Sequence, residues 1–361
     1  MIGGSTGIPG TAAAASRVLY DPATWVGLVG VLGAVTPGFG GIDAVLEPIV
    51  GPSSIAYGTD GRLTILVVGS DYRYRKPNHG ERLDTVIVAT INPKTRQMAV
   101  VSIPRDVGNL PLPDATDTFH GKVNSLFAHY RRLVGTRDAA LEKMREAIAH
   151  ALRVEIDYVA FTRFEGFDLL VDEIGGVYTD IPASIYDSRI VDDRTRPRGA
   201  KFVAGSNVLL DGDDARKCHA TPKPINWGRV PACKRALMYV RSRHGQVGTR
   251  FNNDYKRARR QQEFLMAALR RVAGRGKGAA LTSLRDAALG RPRDVYTTLP
   301  IATPADLMSL FDLFNGAQDQ PFLQAVLKPN KYAYRVVGTR RYELRLDVVR
   351  ALTAEWFGPV R

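Results

Sequence analysis

The chain has 361 residues, of which 45% are hydrophobic, enough to bury a sizeable core and to exclude a wholly unfolded or fibrous polypeptide. Its 50 Lys and Arg against 36 Asp and Glu give a formal net charge of +14, which favours polyanionic partners such as nucleic acid, anionic lipid headgroups or phosphorylated sugars. The two cysteines, Cys218 and Cys233, sit in neither a CxxC nor a zinc-finger spacing, which argues against a cysteine metal site.

From Pro22 to Ile42 the chain carries no charge and is long enough to span a bilayer, but it is interrupted by Pro37 and by glycines such as Gly30 and Gly33. It reads either as a weak membrane anchor or as a flexible apolar lead-in. LTILVVG from Leu63, TVIVATIN from Thr85 and QMAVVSI from Gln97 are three apolar, β-branched runs and predict buried strands. Asn92, Pro93, Lys94 and Thr95 predict a hairpin turn between the second and third.

KVNSLFAHY from Lys122 and TRDAALEKMREAIAHAL from Thr136 have helical spacing. The segment from Asp157 to Pro182 predicts strand, helix, a stop at Gly175 and Gly176, and another strand. The polar stretch from Ser184 to Gly205 predicts a long loop, and ALMYVRSRH from Ala236 a further strand. Asn253 to Ala273 predicts a long helix with a basic first half, with Lys256, Arg259 and Arg260 on its exposed face. The tail predicts a helix at 304–314, strands near 322–327 and 332–337, and a last helix over 348–357. This alternation implies a layered α/β sheet covered on both faces, with no internal repeat and no linker between two domains.

Asp71 follows the first strand and Asp84 precedes the second, so pairing of those strands brings the two carboxylates to one sheet edge. Hard oxygen ligands placed so suit Mg²⁺ or Mn²⁺, although each aspartate could instead cap a turn or pair with Arg73 or Arg82. Arg82 shares that loop, Arg105 ends the third strand, and Arg241 with Arg243 ends the strand expected after Ala236. Ligands of open α/β sheets gather at one edge and guanidinium groups grip phosphate oxygens, so these arginines form a candidate clamp; a solvated charged rim is the bland alternative. Arg257 and Gln261 lie one helical turn apart and can face the same ligand.

Taken in order, Gly69-Ser70-Asp71-Tyr72-Arg73, Arg82-Leu83-Asp84-Thr85, Ser102-Ile103-Pro104-Arg105-Asp106, Lys122-Val123-Asn124, Leu209-Leu210-Asp211-Gly212, Arg241-Ser242-Arg243-His244 and the Arg257 to Gln262 run resemble the LytR-CpsA-Psr family. The resemblance covers about 63–273. It implies a three-layer α/β/α sandwich with a mixed central sheet and an apolar groove for a polyprenyl chain. It implies a phosphotransferase that moves a glycopolymer, such as teichoic acid, arabinogalactan or capsule, from a polyprenyl-pyrophosphate carrier to peptidoglycan through a phosphodiester. Carried over by position, Asp71 and Asp84 resemble the metal-associated aspartates, with Mg²⁺ as the usual ion, and Arg82, Arg105, Arg241, Arg243, Arg257 and Gln261 resemble the phosphate-binding set. Asp84, Arg105, Arg241 and Arg243 are the catalytic candidates, and Asp84 and Asp106 both stand as candidate bases.

The organisation this implies is an N-terminal region over 1–57 with the candidate anchor, and a catalytic domain over 58–361 interrupted by a Cys-flanked insert at about 216–235. A Cys218–Cys233 disulfide would close a loop of roughly 15 residues and contribute about 3 kcal/mol in a chain-entropy account. With the apolar N-terminal run it points to a membrane-anchored, extracytoplasmic protein whose partners are membrane lipid, the lipid-linked polymer and peptidoglycan, with no nucleic acid. The chain departs from the family's Asp-x-Gly-Arg before the basic helix, having Asp254-Tyr255-Lys256-Arg257. Two other functions fit the composition: a DNA-binding regulator using the basic helix, and a polyprenyl-phosphate binder without catalysis.

Overall fold

A computed structural model describes residues 53–72, 80–114, 117–191, 198–212, 235–274, 293–301, 303–317, 320–339 and 341–358. The apolar run at 22–42, the 1–52 part of the expected N-terminal region, Arg73, both cysteines and all but the last residue of the expected insert lie outside the described residues. Among the described residues no helix is long and apolar enough to cross a membrane.

The three apolar runs form β1 (Leu63–Ser70), β2 (Leu83–Ile91) and β3 (Met98–Ser102), paired antiparallel in sequence. The Asn92 side chain closes the β2–β3 turn by accepting hydrogen bonds from the amides of Lys94 and Thr95 at 2.9 and 3.2 Å. A small hairpin, β4 (Gly108–Pro111) and β5 (Thr118–Lys122), leads through a 3-10 turn at Val123–Ser125 into α1 (Leu126–Val134) and α2 (Arg137–Leu152). The chain then forms β6 (Tyr158–Thr162) and α3 (Phe164–Glu173), stops at Gly175 and Gly176 with φ of 66° and 77°, and continues as β7 (Val177–Ile181). Glycine adopts that left-handed backbone at little cost, which is why the helix ends there.

Two segments differ from the sequence expectations. The stretch expected as a long loop carries β8 (Ile185–Val191) and β9 (Arg198–Phe202), which pair antiparallel, and then β10 (Gly205–Leu210), which pairs with β7. Its strand character is hidden because one of the inward residues, beside Ile185 and Ile190, is the aspartate Asp187, 1% exposed. The segment expected as a strand from Ala236 is the helix α4 (Ala236–Arg241). Residues 236–240 are all buried, so the run has no polar face from which its period could be read.

The chain continues through β11 (Gln246–Val247), β12 (Arg250–Phe251), the long α5 (Asp254–Gly274), β13 (Val295–Thr297), α6 (Pro304–Asn315), β14 (Leu323–Val326), β15 (Ala333–Arg335), β16 (Tyr342–Leu344) and α7 (Leu346–Phe357). The central sheet runs β13-β6-β1-β2-β3-β14 and is mixed: β1 with β6 and β3 with β14 are parallel, the other pairs antiparallel. Alternation along its strands divides the apolar residues between two faces. Leu66, Val68, Val86, Val88 and Val101 pack against α1, α2 and α7, while Leu63, Ile65, Ile87 and Val100 face Met266 of α5 and Leu310 and Leu313 of α6. This is a three-layer α/β/α arrangement.

A third core joins α3, α4 and α5 to β7 and to the sheet ordered β12-β11-β8-β9. Helix α5 serves two cores at once, Met266 on the central sheet and Phe264 and Ala267 on the third cluster. Gln262, 0% exposed, ties the helix to the central sheet by donating to Ser102 Oγ at 2.9 Å and to the Ala325 carbonyl at 2.7 Å.

Candidate active site

Register places the site. Ser70 at the end of β1 is opposite Leu83 at the start of β2, so Asp71 and Asp84 emerge at the same sheet edge. The Arg82 amide donates to Asp71 Oδ1 at 3.1 Å and the Asp71 amide to the Arg82 carbonyl at 3.0 Å, so Asp71 does cap its turn. The Ile103 amide bonds the Val86 carbonyl at 2.9 Å, which sets Arg105 beside Asp84. Its Nη1 donates to Asp84 Oδ2 at 3.0 Å.

Helix α5 brings the next guanidinium. Arg257, 6% exposed, approaches Asp84 Oδ2 at 3.6 Å with Nη1 and Asp254 Oδ1 at 3.1 Å with Nη2. Asp254 Oδ1 also lies 3.5 Å from Arg243 Nη1 and 3.7 Å from Arg105 Nε, so two aspartates interleave with three arginines. Lys256, at the position where the resemblance implies glycine, donates its amide to Asn253 Oδ1 at 2.9 Å. Arg260 departs from the exposed placement expected of it: it is 6% exposed and donates to Asn252 Oδ1 at 3.2 Å and to the Ser242 carbonyl.

Arg241 and Arg243 leave the end of a helix, not one face of a strand. Arg241 ends α4 with its guanidinium 4.1 Å from the centre of the Phe164 ring, and Arg243 follows the cap and reaches Asp254. Gln261 donates to the Val240 carbonyl at 3.1 Å, locking α5 to α4. Asp106 is drawn to Lys122 and to Arg105 Nε at 3.8 Å.

Burial alone would raise the Asp84 carboxyl, but Arg257, Arg105 and Arg243, with a hydrogen bond from Asn124, hold it below the ordinary carboxylate range. Burial pulls Arg257 down against the pull of Asp254 and Asp84, whereas Arg105, also opposed by burial, is raised by Asp84, Asp254 and Asp106. Nε of both Arg105 and Arg257 is buried without a hydrogen-bond partner among the described residues. Buried guanidinium donors without a hydrogen bond, set in a cluster of cations, suit an incoming anion.

All eight predicted site residues, Asp71, Arg82, Asp84, Arg105, Arg241, Arg243, Arg257 and Gln261, line one cavity of about 870 Å³. Its body lies between the Leu63, Ile65 and Val100 face of the sheet and apolar residues of α3, α5 and α6, such as Leu170, Leu269 and Phe311. The lining carries seven arginines against three aspartates, so the polar part is cationic. Asp187, Asn124, Arg163, Arg189 and His244 also line it, and sequence reasoning gave none of them a role. Asp187 sat in an apparent loop, and Arg163 is held by a bidentate pair with Glu81 at 2.9 Å that links residues 82 positions apart.

Among the described residues there is no cluster of three or more His, Cys, Asp or Glu side chains suited to a metal ion. Mg²⁺ is commonly held by one or two carboxylates together with water and substrate phosphates; the carboxylates at this sheet edge are Asp71, which accepts from the Arg82 amide, and Asp84, which is paired with Arg105 and Arg257.

A mixed-sheet α/β/α domain with an apolar cavity opening beside clustered arginines is the class of protein that fold and site define. Residues 50–218 match the LytR_cpsA_psr family, and the matched part contains Asp71, Arg82, Asp84 and Arg105. The chain is 24% identical over 253 residues to the Polyisoprenyl-teichoic acid--peptidoglycan teichoic acid transferase TagV of Bacillus subtilis (strain 168), covering 70% of this chain and 54% of TagV. It is 30% identical over 152 residues to the transferase TagU of Halalkalibacterium halodurans, covering 42% of each. The match thus spans about half the length of these curated relatives. The crystal structure of B. subtilis TagV superposes with a TM-score of 0.58 at 22% identity, over 84% of this chain and 100% of that one, a likeness of fold.

Proposed function

We propose that this protein is a phosphotransferase that moves a glycopolymer from a polyprenyl-pyrophosphate carrier to peptidoglycan, leaving a phosphodiester link. The observation that carries the reading is a largely apolar cavity of about 870 Å³ whose lining also carries seven arginines. A polyprenyl pyrophosphate has the same division, an apolar chain joined to a concentrated negative charge. The names of TagV and TagU, which pair polyisoprenyl-teichoic acid with peptidoglycan, support the same chemistry.

In this reading an acceptor hydroxyl attacks the phosphorus nearer the glycopolymer, the new P–O bond forms as the hydroxyl proton leaves to a base, for which Asp84 and Asp106 are the candidates, and the bond to the departing polyprenyl phosphate breaks. Arg105, Arg243 and Arg257 bind the phosphoryl oxygens and offset the charge that builds on the leaving group, with Arg82 and Arg241 at the rim and Gln261 holding α5 against α4. Asp71 and Asp84 would hold Mg²⁺, or Mn²⁺ by the same ligand chemistry, which when bound withdraws charge from phosphoryl oxygens. Asp84 and Asp254 keep the arginines spaced and ionised. The reading places the domain outside the cytoplasm at the membrane face, where carrier and wall meet.

The test is release of polyprenyl phosphate from a polyprenyl-pyrophosphoryl sugar in the presence of a peptidoglycan acceptor and Mg²⁺. The Arg241→Ala, Arg243→Ala double variant is expected to lose at least about 10²-fold in turnover, the order seen when one charge-stabilising donor is removed. Undiminished turnover by that variant would end the assignment. Donor binding without product would instead identify a lipid-phosphate binder. The basic helix that suggested DNA binding turns Arg257 and Arg260 inward, which leaves that alternative fewer outward bases and favours the transferase reading.

A further inference from the structure

We propose that Asp187 is the positioning residue of the phosphate clamp, fixing the turn that carries Arg243 and His244 so that their side chains meet the ligand at the mouth. The inference rests on the phosphate-binding reading of the site and assigns a role to a residue that makes no ion pair among the described residues. Asp187 is 1% exposed, and both of its oxygens are fully used. Oδ1 accepts from the amides of Arg189 and Ile190 at 3.0 and 3.1 Å. Oδ2 accepts from Ser242 Oγ at 2.8 Å and from the amides of Arg243 and His244 at 2.9 and 3.0 Å. A buried carboxylate is costly unless its lone pairs are met, and here neutral donors from two segments about 55 residues apart meet them.

The opposite side of the same turn is held as firmly. Asn252 Nδ2 donates to Ser242 Oγ at 3.0 Å and to the His244 carbonyl at 3.2 Å, and Arg260 donates to Asn252 and to the Ser242 carbonyl. Gly245 follows with φ of 73°, and a Cβ there would stand 1.8 Å from the Tyr186 carbonyl oxygen, so the turn is pressed onto β8 without room for a side chain. Backbone atoms of 242–244 are thus anchored to Asp187, Asn252 and Arg260, while the Arg243 and His244 side chains line the cavity. Holding the backbone of a long, flexible arginine lowers the disorder its guanidinium must lose on gripping phosphate.

The experiment is calorimetric binding of inorganic pyrophosphate to the full chain and to Asp187→Asn, Arg243→Ala and the double variant, with a melting curve for each. Asp187→Asn replaces one acceptor oxygen with an amide that opposes the donors facing it, and is expected to weaken binding by about tenfold. If Asp187 acts through Arg243, adding Asp187→Asn to Arg243→Ala costs less than about twofold more. A role in stability alone predicts a lower melting temperature with unchanged affinity in folded Asp187→Asn, and a role independent of Arg243 predicts additive losses; either result overturns the proposal. Should Asp187→Asn not fold, Ser242→Ala, which removes one donor from Oδ2, enters the same cycle with an expected loss of about threefold, and additive losses there overturn the proposal in the same way. A wild-type chain that binds pyrophosphate but transfers nothing overturns the transferase reading and leaves this one standing; a wild-type chain that does not bind pyrophosphate overturns this one.

Discussion

Asp84 sits where two opposing effects meet, burial that favours its neutral form and three guanidinium groups that favour its charged form, and the second effect prevails. Its folded-state pKa is therefore below the ordinary value of 3.8, so it contributes stability that is present above that value and is lost as pH falls through the lower, folded one. The melting temperature of the wild-type chain should exceed that of Asp84→Asn near neutrality, because the variant leaves Arg105, Arg243 and Arg257 without one of their shared counter-charges. The gap should narrow as pH drops below 3.8. Melting curves across pH check this, and a gap that stays constant into acid would show that the carboxylate charge is not what holds the arginines. At this scale the sequence was informative about types and silent about partners. Asp84, Arg105 and Arg257 were visible as candidates, but Asp254 as the carboxylate that three arginines share was not, since its distances to them are set by the placement of α5.

Helices and strands in this chain were readable where one face is polar or where β-branched residues run together, as in β1, β2, β3, α2 and α5. They were misread where burial is complete or the inward residue is charged, as in α4 and β8. Turn and cap chemistry carried more weight at the ends. Thr303 caps α6 by accepting from the Asp306 amide at 3.1 Å, and its hydroxyl donates to Asp306 Oδ2 at 2.6 Å. Asp306 Oδ1 in turn accepts from the Ser54 amide at 2.6 Å, joining the start of the described chain to this helix. Thr303→Ala should cost about 1 kcal/mol in a denaturant titration, the usual value for a lost N-cap hydroxyl. Because α6 contributes Leu310, Phe311 and Phe314 to the cavity wall, the same variant tests whether loosening that wall changes lipid binding.

Over the described residues, the sheet buries apolar residues on both faces, and the two faces are covered differently. The face under α1, α2 and α7 is packed, whereas the face toward α5 and α6 leaves the cavity. Ala89 of β2 lines that cavity with a side chain small enough to leave space. Ala89→Phe should fill part of it, weakening binding of polyprenyl phosphate by about tenfold or more while leaving inorganic pyrophosphate affinity unchanged, since one extra buried ring displaces several methylene groups at about 0.8 kcal/mol each. Equal losses for both ligands would mean that cavity and mouth do not act as separate chain and headgroup sites.

By itself the sequence determined the layered α/β class, the three-strand start of the sheet, the long basic helix and the residue types at the site, because hydrophobic period and local turn chemistry are properties of neighbours along the chain. Only the tertiary structure decided that eight of those residues line one cavity, that Arg260 is inside, and that Asp187 anchors the turn bearing Arg243. Those facts depend on segments distant in sequence arriving at one sheet edge, where each buried charge must find donors or counter-charges that no local pattern encodes.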